Sequence, residues 1–351
     1  VPDSGTARRR PRNFSPWAQW QLQLASVEPT DPFPDAPDQL EGWRDRVRGR
    51  LAEMLGDAPA PVPLDVEVRG SVDCGTYRRE TIVFDVEPTM SVPAYLLVPH
   101  ARREPGPAIL AIHGHGPGKD EVCGVDTPAV QVLLAEHHDD YAHACAQLGY
   151  LVLAPDLRGF GERADWQPED RYQCDVNLVH AVMAGSQPLA QNLRDLQRAL
   201  DLLAGHDLVD PGRIGVVGFS YGATMTLFLA ALDHRVQAAV VSGYLSSWKA
   251  AHRVPWNMCG SQVLAGMLGS LEHVDVAALV APRALLVETG RGDALFPESS
   301  ARTTVAQLRT LYAALGAPDD ALRHDVFEGD HQWHGEQVGE FLDRWLEPVR
   351  R

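Results

Sequence analysis

Gly218-Phe219-Ser220-Tyr221-Gly222 sets a serine between two glycines in the pattern G-x-S-x-G. A β-rich run, Arg213–Gly218, precedes it, and a strong helix former, Ala223–Leu232, follows. A serine on so tight a strand-to-helix turn holds its hydroxyl above a sheet and at a helix N-terminus, where backbone N–H groups favour developing negative charge. That is the setting of a nucleophile that attacks a carbonyl. The plain alternative is a Gly-rich turn with a capping serine. The five-residue pattern is weak by itself; its flanks give it weight.

A serine hydroxyl needs a base for its proton, and the base needs an acid to orient it. On a sheet of alternating strands and helices the expected chain order is Ser, then Asp or Glu after a later strand, then His after the last strand. The run 283–288 leads into Thr289-Gly290-Arg291-Gly292-Asp293, and the run 324–328 leads into Gly329-Asp330-His331. Asp293 is therefore the expected acid and His331 the expected base. His334 is the rival base, three residues on and entering the last helix. Asp330 is the rival acid, adjacent in sequence and poorly placed to face the ring.

The tetrahedral intermediate needs oxyanion donors. The expected ones are the N–H of Tyr221 and, from the loop His113-Gly114-His115-Gly116, the N–H of His115, with Gly116 the alternative. The same loop has a competing reading as a metal site, His113 and His115 joined by His331 and His334. That reading leaves the serine turn unused, so neither a metal nor a cofactor is expected.

These residues must be held by a particular set of elements. The pattern predicts strands over 80–86, 92–98, 108–113, 150–155, 213–218, 237–242, 283–288 and 324–328. Several are continuous apolar runs, the pattern of strands buried on both faces of a mostly parallel sheet. Helical periodicity predicts helices near 127–148, 188–205, 221–233, 299–315 and 335–347; in the second, Leu189, Leu193, Leu196, Leu200 and Leu203 form one apolar stripe. The alternation implies a doubly wound α/β sheet with its ligand site at the carboxyl ends of the strands.

Two regions fall outside this alternation. Residues 1–70 read as an N-terminal extension: an irregular Pro-, Arg- and Asp-rich arm to about 37, anchored by Phe14, Trp17, Trp20 and Phe33, then an amphipathic helix from about Gln39 to Leu55. Residues 71–351 form the catalytic domain. Within it, 243–282 lacks strand periodicity and is expected to be a short helical excursion over the sheet edge.

Composition bounds the function classes. The chain has 351 residues, 45% hydrophobic and 22% charged, ordinary for a globular protein. Its net charge of −16 disfavours nucleic acid and anionic membranes as partners. No apolar run is long enough for a membrane helix. Five scattered cysteines, none spaced C-x-x-C, argue against a disulfide framework. Arg8-Arg9-Arg10 lacks a following apolar stretch, so a cytoplasmic location is expected.

With these residues in this order, the chain resembles the α/β-hydrolase superfamily over roughly residues 75–348. More narrowly, it resembles the bacterial serine esterases grouped with dienelactone hydrolases and acetyl xylan esterases. Four segments carry the likeness: HGHG at 113–116, DLRGFGER at 156–163, the stretch from Asp195 to Gly222, and APRALLVETGRGDALFP at 281–297. The resemblance implies Ser220 as nucleophile, His331 as base, Asp293 as acid and no metal. Dienelactone hydrolases proper carry cysteine at the nucleophile, so Ser220 favours ordinary ester hydrolysis over dienelactone.

Trp256, Phe296 and Trp333, with Met258, flank the expected site loops and are candidates for the walls of a substrate pocket. Arg158 could hold a substrate carboxylate, but a structural Arg–Asp contact is the favoured reading. Cys259 reads as a buried structural thiol. The expectation is a serine esterase acting on a small-molecule ester, with amide, lactone or carbon–carbon bond hydrolysis as alternatives and a non-catalytic binding module last. The N-terminal extension makes a homodimer plausible.

Overall fold

The computed structural model describes residues 12–34, 36–137, 139–165, 173–253 and 257–347. Among these residues, nine strands form one sheet: β1 (Glu67–Asp73), β2 (Tyr77–Glu87), β3 (Met90–Pro99), β4 (Gly106–Ile112), β5 (Leu151–Pro155), β6 (Val209–Phe219), β7 (Val236–Ser242), β8 (Ala284–Gly290) and β9 (Leu322–Phe327). Their order is β1-β2-β3-β5-β4-β6-β7-β8-β9. The first four of these run antiparallel to one another, and every pairing from β5 to β9 is parallel.

The central strands are apolar along their whole length because both faces are covered. In β4, Leu110 and Ile112 enter one hydrophobic cluster while Ile109 and Ala111 enter the other. The leucine and the two isoleucines each contribute about 1.5–3 kcal/mol by leaving water, and the alanine less. Register matters more for the site: Phe219 of β6 pairs with Ser242 of β7, and Ser242 pairs with Glu288 of β8. The carboxyl ends of these strands therefore finish in one row.

Among the described residues, twelve α-helices surround the sheet. Those preceding the serine turn are α1 (Pro16–Ser26), α2 (Leu40–Leu55), α3 (Lys119–Val122), α4 (Pro128–His137), α5 (Tyr141–Gln147), α6 (Gln173–Met183) and α7 (Pro188–Ala204). Following it are α8 (Tyr221–Leu232), α9 (Trp248–Ala251), α10 (His273–Ala278), α11 (Glu298–Ala314) and α12 (Val338–Leu346). Helix α8 is buried from Tyr221 to Ala231, which explains its lack of a polar face. None is long and apolar enough to cross a membrane among the described residues.

Local readings differ from the sequence pattern in four places. The helix expected over 127–148 is two helices, α4 and α5. Helices α1 and α6 and strand β1 were not expected. All seven residues of β1 are exposed, so no apolar alternation marks it; its pairing with β2 holds it as an edge. In α1 only Leu24 is buried, and the helix starts at Pro16 with the Ser15 hydroxyl accepting from the Ala18 N–H at 3.2 Å. Of the aromatic anchors expected in the arm, Phe33 packs edge-on against Trp43 at 5.0 Å, whereas Phe14 is 89% and Trp20 56% exposed. The 243–282 excursion carries α9, α10 and a 3-10 turn at Met267–Gly269 between irregular stretches.

Helix α2 places Leu40, Trp43, Val47 and Leu51 in the same hydrophobic cluster as the sheet. The arm before it runs along the excursion: the Thr30 N–H and hydroxyl both donate to the Gly269 carbonyl, at 3.1 and 2.7 Å.

Candidate active site

Ser220 stands between β6 and α8 with φ 54 and ψ −117, a left-handed backbone for a residue with a side chain. Such conformations cost on the order of 1–3 kcal/mol and persist where the surroundings enforce them. Here the enforcement is close packing of the turn. A Cβ on Gly222 would lie 1.9 Å from the Ile112 carbonyl oxygen, and one on Gly218 would lie 2.4 Å from the Gly222 oxygen. Both positions in G-x-S-x-G are glycine because β4, β6 and α8 leave no room for a methyl group. The Ser220 N–H donates to the Ser242 carbonyl at 2.9 Å, pinning the turn to β7.

Asp293 follows β8 and His331 follows β9. The structure brings both to Ser220: His331 Nε2 lies 2.9 Å from Ser220 Oγ, and His331 Nδ1 lies 2.8 Å from Asp293 Oδ2. The other oxygen of Asp293 accepts the N–H groups of Leu295 at 2.8 Å and Phe296 at 2.9 Å. Phe219 and Phe296 flank the His331 ring, with centroids 4.8 and 5.8 Å away. A carboxylate on Nδ1 keeps the proton there and leaves Nε2 to accept from the hydroxyl.

The rivals lie elsewhere. His334 Nδ1 sits 2.8 Å from Asp325 Oδ2, and its ring stacks on Phe327 at 4.2 Å. Asp330 turns toward Gly292, where a Cβ would meet its Oδ1 at 2.0 Å.

Tyr221 opens α8, so its N–H is among those without a partner inside the helix. Its side chain points away, its hydroxyl accepting from Asn192 Nδ2 at 3.0 Å. The loop after β4 runs beside the serine: a Cβ on Gly114 would lie 3.6 Å from Ser220 Cβ, and His115 lines the same cavity as Ser220. His113 is fully buried, with Nδ1 on the Gly114 carbonyl at 2.7 Å and Nε2 accepting from the Leu157 N–H at 2.9 Å. Both ring nitrogens are engaged by the main chain, so the His113–His115 metal pair is not assembled. Burial pushes the imidazole of His113 below its ordinary value, keeping it neutral.

A cavity of about 340 Å³ opens over Ser220 and His331. Of the sequence-expected wall residues, Phe296 lines it. Trp333 does not: it stacks on Tyr141 at 4.5 Å, and Tyr141 forms the wall in front of it. Met258 faces a different cavity, beside the excursion. Trp256 lies outside the described residues. Sequence reasoning missed Glu121 and Asp139, two carboxyl groups in the wall. Burial pushes Glu121 up to about 7 and Asp139 up to about 8. They come from separate elements, and no spacing in the sequence links them to the serine.

Arg158 makes the structural contact favoured from the sequence, and Cys259 lies elsewhere than expected. Arg158 grips Asp195 through two bonds of 2.8 and 2.7 Å and also reaches Glu87 at 2.7 Å, a structural clamp that joins the loop after β5 to α7 and β2. Cys259 was expected among the core thiols. It instead lines the cavity, with its sulfur 3.2 Å from His115 Nε2.

A sheet of this topology, with a serine at the β6–α8 elbow and an acid and a histidine beyond β8 and β9, defines an α/β-hydrolase. The Abhydrolase family matches residues 6–344, and the chain belongs to that family. The match takes in the N-terminal helices as well as the sheet, and so extends well before the residue-75 start of the sequence likeness. Among curated relatives, the provisionally named hydrolase YtaP of Bacillus subtilis is 28% identical over 299 residues, 78% of this chain and 89% of that protein. A provisionally named carboxymethylenebutenolidase of Methylorubrum extorquens is 31% identical over 149 residues, 42% of this chain and 43% of that one. Among solved structures, a provisionally assigned acetyl xylan esterase from Bacteroides fragilis matches at TM-score 0.74 and 22% identity, covering 92% of this chain and 84% of that one. A glucuronoyl esterase from Solibacter usitatus matches at TM-score 0.66 and 18% identity, covering 91% and 98%. The protein is a hydrolase of the α/β fold.

Proposed function

We propose that the chain is a metal-independent serine esterase acting on a small carboxylic ester through an acyl-enzyme. One observation carries the reading: Ser220 Oγ, the His331 ring and the Asp293 carboxylate form an unbroken hydrogen-bonded chain that opens into the 340 Å³ cavity. In this reading His331 takes the serine proton as Oγ attacks the ester carbonyl. The charge that develops on the carbonyl oxygen meets the N–H groups of Tyr221 and His115. His331 then gives its proton to the leaving alkoxide, and water, deprotonated by the same ring, releases the acid. Asp293 holds the ring in the required tautomer throughout.

A short acyl group suits the cavity volume. The solved structures named for acetyl xylan and glucuronoyl ester cleavage favour an ester in which one side is a carbohydrate. The Glu121 and Asp139 carboxyl groups, which burial shifts toward the protonated form, add hydrogen-bonding capacity to the wall for such a substrate. Amide, lactone or carbon–carbon bond cleavage would use the same three residues.

The test is hydrolysis of p-nitrophenyl esters from acetyl to decanoyl by wild type, by chelator-treated wild type and by Ser220→Ala. Turnover of the short esters that survives chelation and vanishes in the variant supports the reading. Folded wild type that neither turns over an ester nor reacts with a fluorophosphonate overturns it.

A further inference from the structure

Beside the serine site, three side chains with metal-binding atoms converge from distant parts of the sequence. His115 lies in the loop after β4, Cys174 in the first turn of α6, and Cys259 in the excursion. His115 Nε2 is 3.2 Å from Cys259 Sγ and 3.6 Å from Cys174 Sγ, and all three donor atoms lie within 4.8 Å of one another. Tetrahedral zinc with Zn–N of about 2.0 Å and Zn–S of about 2.3 Å separates its nitrogen and sulfur ligands by about 3.6 Å and its sulfurs by about 3.8 Å. The separation to Cys174, 3.6 Å, matches the tetrahedral N···S value, and the one to Cys259, 3.2 Å, is about 0.4 Å shorter. We propose that His115, Cys174 and Cys259 bind a single thiophilic divalent cation of the zinc class, with water in the fourth position.

The surroundings fit such a site. The backbones that carry the two cysteines are packed together: a Cβ on Gly260 would lie 2.7 Å from the Cys174 carbonyl oxygen, and the Gly260 N–H donates to Asp175 Oδ1 at 3.1 Å. The His115 ring is held between Tyr221, 4.9 Å away, and Phe160, 5.4 Å away. Cys174 is 1% exposed, which shields the ion from bulk water, while Cys259 and His115 face the cavity and leave a route for it.

The ion would tie the loop after β4, helix α6 and the excursion to one another. Its role is to fix these walls: His115 would hold the ion by its ring, whereas the ester chemistry proposed above uses only the main-chain N–H of that residue. The site stands whether or not the ester reading does.

The full-length chain, kept reduced and stripped with chelator, is titrated with zinc by calorimetry and with cadmium by ultraviolet absorbance. The expected result is one ion per chain, a thiolate-to-cadmium charge-transfer band, and a melting temperature about 3 °C higher at a hundredfold excess over Kd. Cys174→Ser, Cys259→Ser and His115→Gln should each weaken binding by about tenfold or more, while Cys145→Ser, remote from the cluster, should bind as wild type does. Should a serine variant fail to fold, His115→Gln supplies the comparison. No saturable binding by wild type overturns the proposal. So does binding of equal strength in the folded cluster variants.

Discussion

His331 Nε2 stands 2.9 Å from Ser220 Oγ, although 111 residues separate the two in the chain. The relationship depends on strand register. The serine leaves the end of β6, the histidine leaves the end of β9, and β7 and β8 between them finish in the same row. At that separation the ring can take the hydroxyl proton without any movement of the main chain.

Ser220→Ala removes the proposed nucleophile and leaves the turn unchanged in shape. Ester turnover should fall by about 10⁴-fold or more, with the circular dichroism spectrum of wild type. Residual kcat within tenfold of wild type would reassign the nucleophile.

Asp293→Asn is the sharper probe of the histidine's orientation. One carboxylate oxygen accepts two backbone N–H groups, so the asparagine oxygen should settle there and its amide should face His331 Nδ1. A donor at that place forces the other tautomer and puts a proton on Nε2. We expect kcat to fall by about 10⁴-fold with little change in KM. Stopped-flow measurement of the acylation burst separates this from a loss of substrate binding.

Gly222→Ala should destabilise the protein, because its methyl group would sit 1.9 Å from the Ile112 oxygen. Backbone, not a flexible side chain, is in the way, so α8 or β4 must shift. The expected cost is about 3 kcal/mol, at the upper end of overpacking effects, together with loss of turnover. Urea midpoints measured against wild type check the first part.

Glu288 gives stability a pH dependence of known sign. Burial pushes its carboxyl from the ordinary 4.5 up to about 7. Between those values the folded state holds a proton that the unfolded state has released, so the contribution to stability falls as pH rises through the window. Glu288→Gln lacks this loss and can keep the oxygen that accepts the Gly335 N–H at 2.9 Å. The variant's stability relative to wild type should therefore rise by about 3 kcal/mol between pH 4 and pH 8. Parallel pH profiles for the two proteins in urea unfolding would count against a buried, protonated Glu288.

Phe296 is 3% exposed and lines the cavity with its ring beside His331. Phe296→Ala should enlarge the cavity and shift the preferred p-nitrophenyl ester toward longer acyl chains. Trp333→Ala, which removes the ring stacked on Tyr141, should lower stability more than it alters that profile. The ratio of kcat/KM for acetyl and hexanoyl esters distinguishes the two.

The sequence by itself determined the central sheet, because strands covered on both faces must be apolar throughout, and runs such as 108–113 and 213–218 declare themselves. It also pointed to Ser220, Asp293 and His331, since each follows a strand in the expected order, while Asp330 is adjacent to the histidine in sequence and His334 lies three residues further on, entering the last helix. Elements held by pairing or docking left little trace: β1 is exposed along its length, and α1 buries a single leucine. Only the tertiary structure decided the rest of the site. Burial and distance made Glu121 and Asp139 part of the cavity wall and moved Trp333 behind Tyr141. They also gathered His115, Cys174 and Cys259, whose sequence separations of 59 and 144 residues from His115 carry no pattern at all. Periodicity records which face of an element meets the core. Contacts between loops from different strands depend on how the sheet places their ends, and that information is not local to any stretch of chain.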